Sequence, residues 1–93
     1  MGSRVTVFRR KVALGEYELT GHAKDEMEQD GFTIVDVKSA IYNGRAVATQ
    51  RRPASTKRYV LQGRALDGRR MRLVCRLTSS GLLRIITVFA VRG

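Results

Sequence analysis

At Arg45 the chain changes period, and that change restricts the fold more than any other feature of the sequence. Before it, apolar residues recur at helical spacing between caps; after it, they alternate with polar and basic residues as strands do. Thr20 is placed to cap a helix that runs from His22 through Gln29 and stops at Gly31. Leu19, Ala23 and Met27 form its apolar stripe, so the acids of the segment are expected to face water. Thr33 opens a second helix with Asp36 three residues on, an aspartate form of the capping box. Ile34, Val37, Ala40 and Ile41 are its buried stripe, and Asn43-Gly44 its stop. Val5 to Leu14, ahead of both, fits a strand or a short helix equally well.

The second half reads as four strands. Ala46 to Ala48 begins the first, which Arg52-Pro53-Ala54-Ser55 breaks, and three runs follow: Lys57 to Leu66, Arg69 to Thr78 and Leu82 to Val91. Helices first and strands afterwards imply an α+β fold, with two N-terminal helices packed on one face of a C-terminal antiparallel sheet of about four strands. Ninety-three residues make a single domain, 1–93, with residues 1–16 as an N-terminal extension and the folded unit over 17–91.

Asp67-Gly68 is a strong signal for a two-residue hairpin. That turn sets Leu66 opposite Arg69 and Tyr59 opposite Arg76. A four-residue loop from Thr78 to Gly81 then sets Leu77 opposite Leu82, Arg72 opposite Thr87 and Arg70 opposite Phe89. Alternation assigns Val60, Met71, Leu73, Cys75, Leu77, Leu82, Ile86 and Val88 to the face under the helices. The other face receives Lys57, Tyr59, Arg70, Arg72, Arg76, Thr87 and Phe89. Cations interleaved with aromatic rings suit RNA: the cations take phosphates and the rings stack on unpaired bases. Arg51 and Arg52 are further candidate RNA contacts. Cys75, on the inner face, is expected to be inert packing.

Charge points the same way. The formal charge is +10, and 14 of the 18 basic residues are arginine, whose planar fork grips phosphate through two hydrogen bonds. Seven acids stand against Lys24 between Glu16 and Asp36, whereas thirteen basic residues stand against Asp67 alone from Val37 onward. Such a positive region attracts a polyanion or an acidic protein. The lone cysteine excludes an intramolecular disulfide and a cysteine zinc cluster. Neither a metal-ligand spacing nor a glycine-rich phosphate loop before a helix is evident, so no metal or cofactor is expected. With no apolar h-region at the start and no apolar run beyond Val88 to Val91, a cytoplasmic protein without a membrane span is expected. RNA cleavage without metal requires cations at the phosphate and groups that move protons. Arginine supplies the first; tyrosine, lysine or histidine supplies the second.

The motif His22-Ala23-x-x-x-Met27-x-x-Asp30-Gly31-Phe32-Thr33-x-x-Asp36-Val37 is followed by Ala40-Ile41-x-x-Gly44. Lys57-Arg58-Tyr59, Gly63, Leu66-Asp67-Gly68 and Ile85-Ile86-Thr87-Val88-Phe89 come later. In this order the chain resembles the small bacterial proteins grouped as domain of unknown function 4258, over about Tyr17 to Phe89. The resemblance implies a fold similar to RelE-like and MqsR-like ribonuclease toxins. Such toxins belong to type II toxin–antitoxin pairs: they cleave messenger RNA, free or on the ribosome, and a small antitoxin protein silences them. Carried onto this chain, it implies a catalytic set of His22, Lys57, Tyr59, Arg76 and Thr87. Many similar proteins carry arginine in the first helix, where this chain has Glu26 and Asp30. The other reading of the same face is a non-catalytic RNA-binding module or a basic protein-interaction domain.

Overall fold

Residues 4–50 and 57–92 are described by a computed structural model. The order of elements is α1 (Arg4–Ala13), β1 (Tyr17–Leu19), α2 (Gly21–Asp30), α3 (Ile34–Asn43), β2 (Arg45–Gln50), β3 (Arg58–Arg64), β4 (Arg70–Leu77) and β5 (Leu83–Ala90). The strands form one sheet in the order β1-β5-β4-β3-β2. Neighbours are antiparallel except β1, which lies parallel to β5. The fold is therefore α+β, with three helices rather than two and a five-stranded mixed sheet rather than a four-stranded antiparallel one. Among the described residues no helix is long and apolar enough to cross a membrane.

Both expected helices form, and local chemistry explains their ends. Thr20 Oγ1 accepts the Ala23 amide at 3.1 Å, and Gly31 takes the left-handed conformation at φ 70° that ends α2. In α3, Thr33 Oγ1 accepts from the Asp36 amide while Asp36 Oδ2 accepts the Thr33 amide at 2.9 Å, the reciprocal capping box. Asp36 reaches further. Its Oδ1 accepts the Leu66 amide at 3.1 Å, so one carboxylate, 8% exposed, ties the start of α3 to the β3–β4 hairpin.

The Thr33 amide holds the Asp36 carboxyl below its ordinary pKa. Burial opposes this; the Leu66 amide, the Thr33 hydroxyl and the Arg69 charge add to the lowering. A depressed folded pKa gives stability that is present above the unfolded value, about 3.9, and is lost as pH falls through the folded value. Asp36→Ala leaves two amides without their acceptor, a loss of about 2 kcal/mol, and should lower Tm by about 10 °C at pH 7. The gap from wild type should narrow in melts run below pH 4. An unchanged Tm at pH 7 would show that the carboxylate does not join the two elements.

Within the stretch expected as an N-terminal extension, α1 contributes Val5, Phe8 and Val12 to the same core that Val37, Ala40 and Ile41 enter from α3. That i, i+3, i+7 spacing resolves the choice between strand and helix. Leu19 belongs to β1 rather than to the stripe of α2, which starts after Thr20. Nor do all the acids of α2 face water. Beyond the end of β1, Glu26 Oε1 accepts the Val88 amide and Asp30 Oδ2 the Ala90 amide, each at 3.0 Å. These carboxylates replace a neighbouring strand along β5, satisfying amides that an open edge would leave bare.

The hairpin departs from the two-residue turn. Ala65 donates to Arg69 at 2.9 Å and Gly68 to Ala65 at 3.0 Å, with Gly68 at φ 89°. Leu66, Asp67 and Gly68 thus make a three-residue loop that ends in a left-handed glycine. One added residue sets Tyr59 opposite Cys75 instead of Arg76, and turns every side chain of β3 to the other face. Tyr59 is 7% exposed in the core, its ring 5.3 Å from that of Phe8, and Val60 takes the outer face. Two further slips affect β5. The loop after β4 is one residue longer than expected, pairing Leu77 with Leu83, and a bulge between Val74 and Cys75 adds another shift. Leu83 and Ile85, rather than Leu82 and Ile86, are therefore the buried residues before the bulge. Beyond it the two slips cancel in parity. Thr87 and Phe89 keep the face expected for them but stand opposite Val74 and Arg72.

Candidate nucleic-acid interface

Cross-strand pairing arranges the face away from the helices in rows. Arg64 stands opposite Arg70 at one end. The next row is Arg45, Gln62, Arg72 and Phe89. Ala48, Val60, Val74 and Thr87 make an uncharged row, beyond which Arg76 stands opposite Arg84, and Arg58 opposite Gln50. Glu18 is opposite Arg84 and pairs with its Nε at 3.1 Å. Seven arginines thus share one face with a single strand carboxylate among the described residues. Phe89, 38% exposed, lies beside Arg72.

Like charges placed directly opposite one another weaken a sheet by a few tenths to about 1 kcal/mol. The pair Arg76 and Arg84 is relieved by Glu18, whereas Arg64 makes no ion pair among the described residues. Arg72 Nε donates to Gln62 Oε1 at 2.8 Å, which holds that guanidinium on the face. Arg58 Nε is buried with no hydrogen-bond partner among the described residues. A chain with acids to spare on its helices leaves this face cationic.

The expected catalytic set does not converge. Arg76 and Thr87 share the open face, with Arg70, Arg72 and Phe89 around them. Tyr59 is withdrawn into the core by the longer hairpin loop, whereas Lys57 stays exposed, its Nζ 5.8 Å from the Tyr59 ring centroid. His22 stands in the first turn of α2 with its side chain 67% exposed, Nε2 3.3 Å from Glu26 Oε1. That oxygen also accepts the Val88 amide, and Thr20 Oγ1 donates to the Ile86 carbonyl at 2.9 Å. The imidazole is therefore held at the β5 edge, beside the strand segment that carries Thr87. Arg51 and Arg52 lie outside the described residues. Burial pushes the Cys75 thiol up to about 12, consistent with inert packing.

Sequence reading missed Arg45, Arg58, Arg64 and Arg84 as members of the face. The signal was present as alternation in Arg58-x-x-x-Gln62-x-Arg64, but it could be used only with the hairpin register known.

Three helices on one side of a mixed sheet, with an arginine-covered face on the other, define the described residues as an α+β protein with one broad cationic face. The chain belongs to the family described as Domain of unknown function (DUF4258), whose model matches residues 19–90. No curated protein and no solved structure matches it. The matched stretch begins after α1, although Phe8 of that helix is fully buried against Tyr59. Several residues that carry the resemblance have structural work here: Thr33 and Asp36 cap α3, Gly31 ends α2, and Gly68 closes the hairpin.

Proposed function

We propose that the protein binds single-stranded RNA across the open face of its sheet. One observation carries this reading: among the described residues, seven arginines share that face with an exposed phenylalanine and one strand carboxylate. The rows of Arg72 and Arg76 lie four residues apart on β4, about 13 Å, with an uncharged row between them. Phosphates can meet the cations while bases lie over Val60, Val74 and Thr87 or stack on Phe89. An unpaired strand suits this flat surface better than a duplex, which needs an element that enters a groove.

The test is a salt titration of binding to a labelled unstructured RNA. A site that neutralises four phosphates gives a log–log slope of about −3, so affinity should fall about 50-fold between 50 and 200 mM salt. Salt-independent binding, or none at 50 mM, would remove the reading.

A second reading, endoribonuclease toxin of a toxin–antitoxin pair, is favoured by one observation: His22, steadied by Glu26, stands at the edge nearest Thr87. In this reaction the 2′-hydroxyl oxygen attacks its neighbouring phosphorus and the P–O5′ bond breaks. The 2′-proton passes to a base, O5′ receives a proton, and the products are a 2′,3′-cyclic phosphate and a 5′-hydroxyl. His22 would move a proton, and Arg76 would hold the developing charge. Tyr59 takes no part, because it lies in the core. The same RNA, incubated with and without ribosomes and run on a denaturing gel, separates the readings. Cuts lost in His22→Ala support the toxin; intact RNA in a salt-sensitive complex leaves a binding module.

A further inference from the structure

The arginine face is concave at one end. Where α3 passes into β2, Asn43, Arg45, Gln62, Gly63, Arg64 and Arg70 line a cavity of about 470 Å³, within the range of small-ligand sites. One wall is rigid. Asn43 Nδ2 donates to the Arg64 carbonyl at 2.9 Å, and its Oδ1 accepts the Arg64 amide at 2.7 Å. That side chain closes the edge of β3 beyond the start of β2, where Arg45 pairs with Gln62. Gly63 rests on the backbone of Ala40, so the helix side is filled there.

We propose that this cavity binds a terminal phosphomonoester, the phosphate at the end of an RNA strand; the inference rests on the RNA-binding reading and deepens it. An internal phosphodiester carries one charge and continues into chain on both sides. A terminal monoester carries about −1.5 to −2 at pH 7 and presents three free oxygens. Three guanidiniums line one cavity, more positive charge than the single charge of a diester matches; Arg64 keeps one N–H on the Gly68 carbonyl at 3.0 Å. Gln62 gives its carbonyl oxygen to Arg72, so its NH2 group is what it offers a ligand. Arg64 and Arg70 stand opposite one another across β3 and β4, so a dianion between them meets two like charges at once. With Asn43 closing the strand edge, an RNA strand that starts here leaves along the sheet, over Arg72 and Phe89.

The chemistry has three sources: a 5′-phosphate, a 3′-phosphate and a free mononucleotide. One internally labelled oligonucleotide is prepared with a 5′-phosphate, with a 3′-phosphate and with hydroxyls at both ends, and binding is read by fluorescence anisotropy. Adenosine 5′-monophosphate and adenosine are titrated separately by calorimetry. One phosphorylated form should bind about tenfold more tightly than the hydroxyl form, the equivalent of one charge-assisted contact. In Arg45→Gln/Arg64→Gln, checked for folding by circular dichroism, that ratio should fall to about one whatever the overall affinity. Arg76→Gln, outside the cavity, should weaken all three forms and keep the ratio. Equal binding of the three forms by wild type overturns the proposal and leaves RNA binding standing. Monophosphate binding over adenosine without RNA binding upholds the cavity as a phosphomonoester site and removes the RNA reading. Binding of neither overturns both.

Discussion

Gly63→Ala should destabilise the protein more than any single neutralising change on its arginine face. A Cβ at Gly63 would stand 2.7 Å from the carbonyl carbon of Ala40 and 2.8 Å from its Cα, and would strike the carbonyl oxygen outright. Those atoms are helix backbone, so no rotamer change makes room, and α3 must lift from β3. The same helical turn meets Gly44, where a Cβ would run into the Ala40 carbonyl and come within 2.7 Å of the Gln62 carbonyl oxygen. The lift would disturb Val37, Ala40 and Ile41, all buried, and the Asn43 side chain that closes the edge of β3. Overpacking a core costs about 1–3 kcal/mol, and a backbone obstruction belongs at the upper end. A loss of about 3 kcal/mol lowers Tm by about 15 °C in a domain of this length. Urea unfolding and thermal melts on Gly63→Ala, beside Leu66→Ala at an exposed position, measure it. A loss below about 1 kcal/mol would mean that α3 slides on the sheet without consequence, and that close contact is not why glycine occupies the site.

The helices were legible because their signals are local. A cap acts within four residues, and Thr20, Gly31, Thr33 and Asp36 each do what their spacing announces. The α1 segment was ambiguous because Val5, Thr6 and Val7 favour a strand, and only the burial of Val5, Phe8 and Val12 against the rest of the core overrides them. β1 is three residues long, too short for alternation to register. Register was the costly error. An Asp-Gly pair serves a two-residue turn and equally the end of a three-residue loop, and its choice here sent Tyr59 inward and Arg58, Gln62 and Arg64 outward. Thr87 and Phe89 kept their face only because a longer loop and a bulge cancelled. The roles of Glu26 and Asp30 could not be understood from the sequence. Their role is set by the amides of Val88 and Ala90, about sixty residues away.

Replacing Arg72 and Arg76 together by glutamate should lower RNA affinity at least 100-fold at 50 mM salt. The neutral pair, Arg72→Gln/Arg76→Gln, should reduce the log–log salt slope by about 1.4, because each phosphate contact on a single strand contributes about 0.7. These two side chains stand in the two charged rows on either side of Val74, on the central strand of the sheet. An RNA that runs along β4 over the face passes both. The control removes equal charge elsewhere: Arg10→Gln/Lys24→Gln alters two exposed positions on α1 and α2. If the +10 charge acts only as a diffuse field, both pairs will weaken binding alike, since a long-range potential depends on total charge more than on its placement. If the open face is the site, the control should change affinity less than about twofold and leave the slope intact. The glutamate pair has a further consequence for an acidic protein partner, which it would also repel. That partner cannot reproduce the slope change of the neutral pair, because folded acidic proteins lack the condensed counterions whose release sets it. The slope, rather than the loss of affinity, therefore decides whether the arginine rows meet RNA.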